Sequence, residues 1–486
     1  MRKRKSLAVN SIFNAVYKGF TALFPLITVS YVSRALLPDR LGTVSYANTI
    51  VIYFTTVAAL GLPNYGVKCI ARYGENIKER SKAFFELWTI NTVSTTIVSV
   101  LYYLIVNLFP YFENMRSIMN IMGIILLLNY INLDWFYQGV EEYKIISIRS
   151  MVVKIASFGL ILLFVNEPDD YLKYAFILAL GTAGNYIFNL LLLKKYIKLG
   201  NYKLHFRQHI RPVFILLAAA LATEIYTAMD TIMLEYYHGS ASVAYYTNAT
   251  KIVRMIYTMG IALVATFYPR ITYYIHNKEY KKSNVLINQG LKIIILLAIP
   301  SAIGVFLTSD NIIHILYGSA YAASIPILKT ASILIFIFSV AYLLGHMILM
   351  AAGKEQSILK ATIVGAVVNA VINILLIPSL KEEGAILASV TAEIVVTCIL
   401  IYSGRKVYKL NIDQQFLKSW VISLLMMISM VFFIKQLVYK LPEALSFLCI
   451  IVPAVIIYFS GLVLFKNPTV LYVSRIVAKK IRKGGS

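Results

Sequence analysis

Residues 229–270 read MDTIMLEYYHGSASVAYYTNATKIVRMIYTMGIALVATFYPR. From about residue 242 to 268 the stretch is apolar enough for a membrane helix, yet it carries two cations, Lys251 and Arg254. A charge near the bilayer centre costs about 3 kcal/mol on insertion scales, so such a side chain faces a partner or a watery cavity. The stretch also has an echo upstream. A shift of 199 positions sets Val243, Tyr245 and Thr250 against Val44, Tyr46 and Val51, and Tyr237-His238-Gly239 against Pro38-Asp39-Arg40.

The rest of the chain matches this membrane character. Of 486 residues 59% are apolar, with a mean hydropathy of +0.73, well above the roughly half found in soluble domains. Cys69, Cys398 and Cys449 are too scattered for a disulfide framework or a metal site. Arg2 to Lys5 precede an apolar run reaching Val32. That is longer than the h-region of a signal peptide, so the run reads as a retained first span.

At about 20 apolar residues per span, fourteen helices are expected: 9–33, 43–63, 83–109, 117–138, 147–165, 172–193, 213–236, 242–268, 285–308, 323–350, 359–378, 384–403, 418–438 and 444–465. With both termini cytoplasmic, the inner segments carry 33 Lys and Arg against five in the outer loops, Arg40, Arg116, Lys381, Lys435 and Lys440. This positive-inside asymmetry absorbs most of the formal charge of +24 and leaves no need for a nucleic-acid partner. The basic tail from Arg475 to Lys483 reads as a contact with lipid headgroups.

A second echo sets Gln138-Gly139-Val140-Glu141 against Ala352-Gly353-Lys354-Glu355, at a shift of 214. The expectation is an all-α integral membrane protein of two pseudo-symmetric six-helix lobes, residues 1–200 and 201–410, with a further helix pair and basic tail in 411–486. Such repeats place a substrate site near the membrane midplane.

Lys18, Lys154 and Lys292 lie on the inner halves of their helices, within snorkelling reach of headgroups. Lys251 and Arg254 are deeper and share a helix face. At the 199 shift they fall on Ile52 and Thr55, while Glu224 falls on Pro25. The scaffold is duplicated and the charges are not, which points to a substrate. Lys251 and Arg254, with Lys18, are expected to line a central cavity for an anionic headgroup, arginine suiting bidentate phosphate contact. Glu224, Asp230 and Glu393 are the candidates for ion coupling or charge pairing. Glu86 and Asp134 lie near the inner boundary, within reach of water. Tyr102, Tyr103, Tyr236 and Tyr237 fit an interfacial belt. Tyr17, Tyr53, Tyr226 and Tyr257 fall inside spans, and Pro25 and Pro300 kink helices one and nine.

The run Val32-Ser33-Arg34-Ala35-Leu36-Leu37-Pro38-Asp39-Arg40-Leu41-Gly42, then Tyr46, Gly61-Leu62-Pro63, Gly139, Gly353 and Tyr317-Gly318, resembles the bacterial polysaccharide flippases. These belong to the superfamily of multidrug, oligosaccharidyl-lipid and polysaccharide exporters. The resemblance implies a V-shaped cavity that carries an undecaprenyl-pyrophosphate-linked repeat unit between leaflets of the bacterial cytoplasmic (inner) membrane by alternating access. It implies no cofactor and no catalytic residue. Its partners would be the lipid-linked oligosaccharide, membrane lipids, a coupling proton or sodium ion and a repeat-unit polymerase. Relatives that flip peptidoglycan precursor hold the lipid tail with the last two helices, here about Lys418 to Phe465. Spans one and two are poor in arginine, with Lys18 and Arg34 standing in, which favours an O-antigen or capsule substrate.

An ion-coupled drug exporter of the same fold would want acidic cavity residues for its cationic substrates. A membrane glycosyltransferase or polymerase would want catalytic carboxylates on large outer loops. Here Glu113, Glu167, Asp169, Asp170, Asp310, Glu382, Glu383 and Glu443 are spread over short ones.

Overall fold

The computed structural model describes residues 7–471 apart from Glu75, Lys406 and Tyr439, and no side chain between 7 and 23 or at Ala219. The basic tail and the side chains of Tyr17 and Lys18 therefore lie outside the described residues. Among those described there are helices and no strand, as hydrocarbon demands when each peptide group needs a partner within its own segment.

The elements are α1 (Leu7–Ala59), α2 (Leu62–Tyr73), α3 (Ile77–Leu108), α4 (Arg116–Met122), α5 (Ile124–Leu128), α6 (Asp134–Gly139), α7 (Tyr143–Phe164), α8 (Tyr171–Ala183), α9 (Ile187–Leu193) and α10 (Arg207–His238). They continue as α11 (Ser240–Ala265), α12 (Tyr268–His276), α13 (Tyr280–Tyr317), α14 (Ser324–Ala331), α15 (Leu334–Tyr342), a π-helix (Leu343–Leu349), α16 (Glu355–Gly404), α17 (Gln414–Leu437) and α18 (Glu443–Leu464). Eleven described helical stretches are long and apolar enough to cross a membrane, twelve with the bent pair α11–α12. The chain is a multi-pass membrane protein. Two of the stretches, Phe24–Tyr73 and Glu355–Gly404, run 50 residues, about 75 Å if straight and over twice the hydrocarbon thickness.

Both long helices are broken inside. Leu37 (φ 63°, ψ 170°) interrupts α1 just before Pro38, and Lys381 (φ 52°, ψ −131°) interrupts α16. Past Lys381 the chain doubles back so tightly that a Cβ on Gly384 would stand 2.6 Å from the carbonyl oxygen of Leu376. The contacts divide the chain into two compact units, one up to Ala244 and one from Tyr245 on.

The internal repeat is real, but its register is not the one expected from matched side chains. Gly239 (φ 80°, ψ −179°), between α10 and α11, has the backbone conformation of Leu37, a shift of 202 rather than 199. At 202 the buried Leu41, Gly42, Val44, Tyr46, Ala47 and Val51 fall on Val243, Ala244, Tyr246, Asn248, Ala249 and Val253, all buried. At 199, Gly42, Tyr46 and Val51 fall on half-buried Ala241, Tyr245 and Thr250. The second echo moves as well. Glu142 N–H donates to the Tyr137 carbonyl at 2.8 Å around left-handed Glu141, and Lys354 N–H donates to the Leu349 carbonyl at 2.9 Å around left-handed Gly353. The turns correspond at 212, not 214. Gly139 has a different role: a Cβ there would meet the Ile70 side chain at 2.7 Å.

In the first unit Phe84, Trp135, Phe136, Tyr137 and Tyr196 form an aromatic core. The two carboxylates expected to reach water are held by protein partners instead. Glu86 is 1% exposed and accepts from His205 N–H (2.8 Å) and the Gln208 side chain (3.2 Å), with His209 Nε2 at 2.8 Å, tying α3 to the start of α10. Asp134 pairs with Arg149. Tyr102, expected at an interface, is fully buried and donates to the Met119 carbonyl at 2.6 Å.

In the second unit, Asn284, Asn288 and Lys292 form a stripe on α13 at steps of four residues, about 6 Å. An extended loop runs along it with alternate residues about 6.6 Å apart. Lys409 N–H donates to Asn284 Oδ1 (3.1 Å), Asn288 Nδ2 donates to the Lys409 carbonyl (3.0 Å), Asn411 N–H donates to Asn288 Oδ1 (2.6 Å), and Lys292 pairs with Asp413. Lys292 is thus not a snorkelling lysine. Asp413 also caps α17 by accepting from Phe416 N–H at 2.7 Å. Partial burial works against its charge, but hydrogen bonds from Lys292 and Phe416 outweigh it and hold the carboxyl below the usual range.

Two predictions follow from these constraints. Leu37 sits in a backbone region that is essentially glycine's and costs about 1–3 kcal/mol, and its side chain is 45% exposed. Leu37→Gly should therefore raise the Tm of the detergent-solubilised protein, and an unchanged or lower Tm would refute the strain. A lowered carboxylate pKa adds stability above the unfolded value that is lost as pH falls through the folded one. Wild type should then lose more Tm between pH 6 and pH 3 than Asp413→Asn, which keeps the cap, as followed by thermal unfolding at each pH.

Candidate functional site

Helix α11 carries two chemistries on two faces. At 100° per residue, Lys251, Arg254 and Thr258 lie about 160° round the helix from Ile256, Met259 and Gly260. Lys251 is half-buried and, among the described residues, makes no ion pair. Arg254 is exposed and engaged by a neighbour. At the corrected register the pair falls on Thr49 and Ile52, so these charges have no counterpart in the first copy.

Next to the cations lies an aromatic and acidic patch. The Tyr246 hydroxyl is 3.2 Å from Ser389 Oγ, which sets the second half of α16 beside α11. One turn on, Glu393 is 9% exposed and within electrostatic reach of Tyr257. The Tyr257 ring meets Phe338 at 5.4 Å between centroids, and Tyr342 stacks on His346 at 5.2 Å and 12°. Phe338, Tyr342 and His346 follow at steps of four along α15 and the π-helix, a rare element frequent at functional sites. All three are at least partly exposed while Leu334, Ile335, Leu343, Leu344 and Met347 are buried. The stripe was missed from the sequence, although a histidine in an otherwise apolar run was its visible signal.

The opposite face of α11 walls a partly open, apolar cavity of about 500 Å³ between α11, α13, α15, α17 and α18. Gly260, Pro300, Gly304, Val431, Ala454 and Tyr458 are among its lining residues. The α17–α18 pair is fastened to α13 towards both ends of the cavity, by Lys292–Asp413 at one end and by Asp310–Lys435 (3.8 Å) and His314–Glu443 (2.8 Å) at the other. The pair is where the lipid-tail groove was expected. Neither the cavity nor its clamps were visible in the sequence, since they join residues more than a hundred positions apart.

The remaining candidates belong to the first unit. Asp230 is 2% exposed and Glu224 half-buried on α10. Both are engaged, and both lie within electrostatic reach of Tyr53, whose hydroxyl donates to the Glu224 backbone carbonyl at 2.9 Å. Arg34 is exposed on α1 close to the break at Leu37. Lys154 lines a smaller cavity of about 280 Å³ with Asp134, Ser150 and Asn185. No group of three or more His, Cys, Asp or Glu able to hold a metal ion occurs among the described residues.

Comparison with known proteins gives a consistent assignment. The family model described as polysaccharide biosynthesis protein matches residues 7–275, and the MatE model matches residues 216–375. The chain is 22% identical over 403 residues to the Escherichia coli (strain K12) protein named "Putative O-antigen transporter", covering 82% of this chain and 97% of that one. It is 29% identical over 183 residues to the Bacillus subtilis (strain 168) lipid II flippase MurJ, covering 35% and 33%. Among solved structures, lipid II flippase MurJ in an inward closed conformation superposes with a TM-score of 0.75 at 14% identity over 94% of this chain and 99% of that one. An inward-facing multidrug MATE transporter reaches 0.59 at 13% identity, over 79% and 93%. The fold is that shared by MurJ and the MATE transporters, and the chain belongs to the polysaccharide biosynthesis protein family.

Proposed function

We propose that the protein flips a lipid-linked oligosaccharide, a polyprenyl-pyrophosphate-linked repeat unit of O-antigen or capsule type, between leaflets of a bacterial cytoplasmic membrane by alternating access. The observation that carries this reading is α11 itself, with cations on one face and an apolar cavity wall on the other. A lipid-linked sugar has both an anionic headgroup and a long apolar tail. In this reading Lys251 and Arg254 hold the pyrophosphate, and the cavity against α17–α18 takes a stretch of the isoprenoid. The stripe of Phe338, Tyr342 and His346 offers ring faces to sugars, and Glu393 offers hydroxyl groups an acceptor. Glu224 and Asp230 are the proposed site of coupling to a proton or sodium ion, with residues 1–200 and 201–410 acting as the two moving lobes. The protein works on its substrate without making or breaking covalent bonds.

A second reading, an ion-coupled exporter of small molecules, draws support from the MatE match to residues 216–375. Its cationic substrates would be repelled by Lys251 and Arg254, so the anionic lipid is preferred.

A charge-assisted hydrogen bond contributes about 1.5–3 kcal/mol, so Arg254→Ala should lower delivery of lipid-linked glycan to the outer leaflet about tenfold or more. Arg254→Lys should be intermediate. Cell-surface glycan labelling at equal membrane abundance of each variant measures this, and normal display by Arg254→Ala would remove the residue from the site. The tail cavity has its own test. A Cβ on Gly260 or Gly304 would meet nothing within 4 Å, so the side chains of Gly260→Leu and Gly304→Leu start into open space at the cavity wall and narrow the cavity. Replacing glycine inside a helix gains about 1 kcal/mol. Both variants should therefore be more thermostable than wild type yet transport poorly, and full transport would exclude the tail from this cavity.

A further inference from the structure

Helix α13 contains Pro300, and a proline inside a helix leaves the carbonyl four residues before it without its N–H donor. That carbonyl belongs to Leu296. Inside a membrane such a group needs another partner. The structure supplies one from 162 positions away: Tyr458 Oη donates to the Leu296 carbonyl at 2.8 Å. Tyr458 is 3% exposed and sits on α18. Leu296, Pro300 and Tyr458 all line the apolar cavity.

We propose that Tyr458 is a positioning residue for transport: by taking over the carbonyl orphaned at Pro300 it ties α18 to α13 at that point, and so sets the bore of the apolar cavity. The polar pairs made by Lys292, Asp310 and His314 clamp α13 to α17–α18 towards either end of the cavity. The tyrosine acts between those clamps, where the cavity must widen and narrow around its occupant. If α18 moves away from α13, the bond breaks and the carbonyl faces hydrocarbon, so an empty cavity closes back on itself. An aromatic ring alone would pack the same space, and only the hydroxyl links cavity width to the orphaned carbonyl.

The inference rests on the proposed handling of a lipid tail, and its test separates the two. Tyr458→Phe removes the hydroxyl and keeps the ring. Pro300→Ala restores an N–H for the Leu296 carbonyl and makes the hydroxyl's bond to it redundant, while any contact of the hydroxyl with Trp420 is the same in both backgrounds. In the Pro300 background Tyr458→Phe should lower glycan delivery about five- to tenfold, the worth of one hydrogen bond, and in the Pro300→Ala background by less than about twofold. The Tm of the purified full chain should follow the same cycle, falling with Tyr458→Phe only when Pro300 is present. Spin labels at Phe306 and Leu448, exposed neighbours of the lining residues Val305 and Phe447, report cavity width. They are placed after replacement of Cys69, Cys398 and Cys449, in nanodiscs with and without undecaprenyl phosphate. Tyr458→Phe should broaden their distance distribution with Pro300 present and leave it unchanged with Pro300→Ala. Equal effects of Tyr458→Phe in both backgrounds would overturn the proposal. If wild type delivers no lipid-linked glycan at all, the proposed function falls, and the Tm and label cycles still decide the role of Tyr458.

Discussion

The constraint on which this structure depends is that a peptide group in hydrocarbon must find its partner inside the protein. A continuous helix meets it automatically, so the informative places are those where the helix stops being continuous. Leu37 and Gly239 break the chain in one backbone conformation, Gly318 (φ 88°, ψ 174°) repeats it, and Lys381 breaks it in another. Pro300 breaks only the hydrogen bonding and leaves a carbonyl to be satisfied from α18. Past Lys381 the chain doubles back, and at Pro300 the packing opens into the apolar cavity. The membrane protein is therefore organised by its interruptions.

What was legible in the sequence follows from the same constraint. Hydropathy reports the continuous stretches, because each needs about 20 apolar residues. The helical character, the places of the two C-terminal helices and the odd position of Lys251 and Arg254 could all be read from it. The repeat was legible as a pattern but not in register. Matching tyrosine with tyrosine gave 199, and matching glycine with glycine gave 214. What the fold repeats is backbone conformation and burial, which give 202 and 212. Leu37 takes a conformation that glycine takes in the second copy, and Glu141 one that glycine takes at 353, so residue identity points to the wrong partner in both cases.

The candidate site divides along the same line. The deep cations announce themselves, since a charge in an apolar run has few explanations. The aromatic stripe of Phe338, Tyr342 and His346 was present at helical spacing, but an aromatic at such spacing is core packing by default until its exposure is known. The bond from Tyr458 to Leu296 is not encoded locally. Pro300 signals that a carbonyl is orphaned, but nothing near it in sequence names the donor. Lys292 shows the reverse error: its position suggested snorkelling, and its partner Asp413 lies 121 residues later in a loop.

The pattern of duplication carries a further implication for how one lipid is handled. The features present in both copies, the broken hairpins and the left-handed turns, are structural devices with no chemical specificity. The cations of α11 correspond in register to Thr49 and Ile52 of the first copy, and the apolar cavity is closed by α17 and α18, which follow the repeated elements in the chain. On the proposed reading, headgroup and tail would both be bound where the symmetry is broken, on opposite faces of a single helix. A substrate that touched both faces would have to pass around α11, and its polar and apolar ends would be held by parts of the protein that can change independently. On that reading the cation face could be altered to suit a headgroup without disturbing the cavity, and a cavity held by Tyr458 could be kept constant for one kind of tail while the sugars it carries vary.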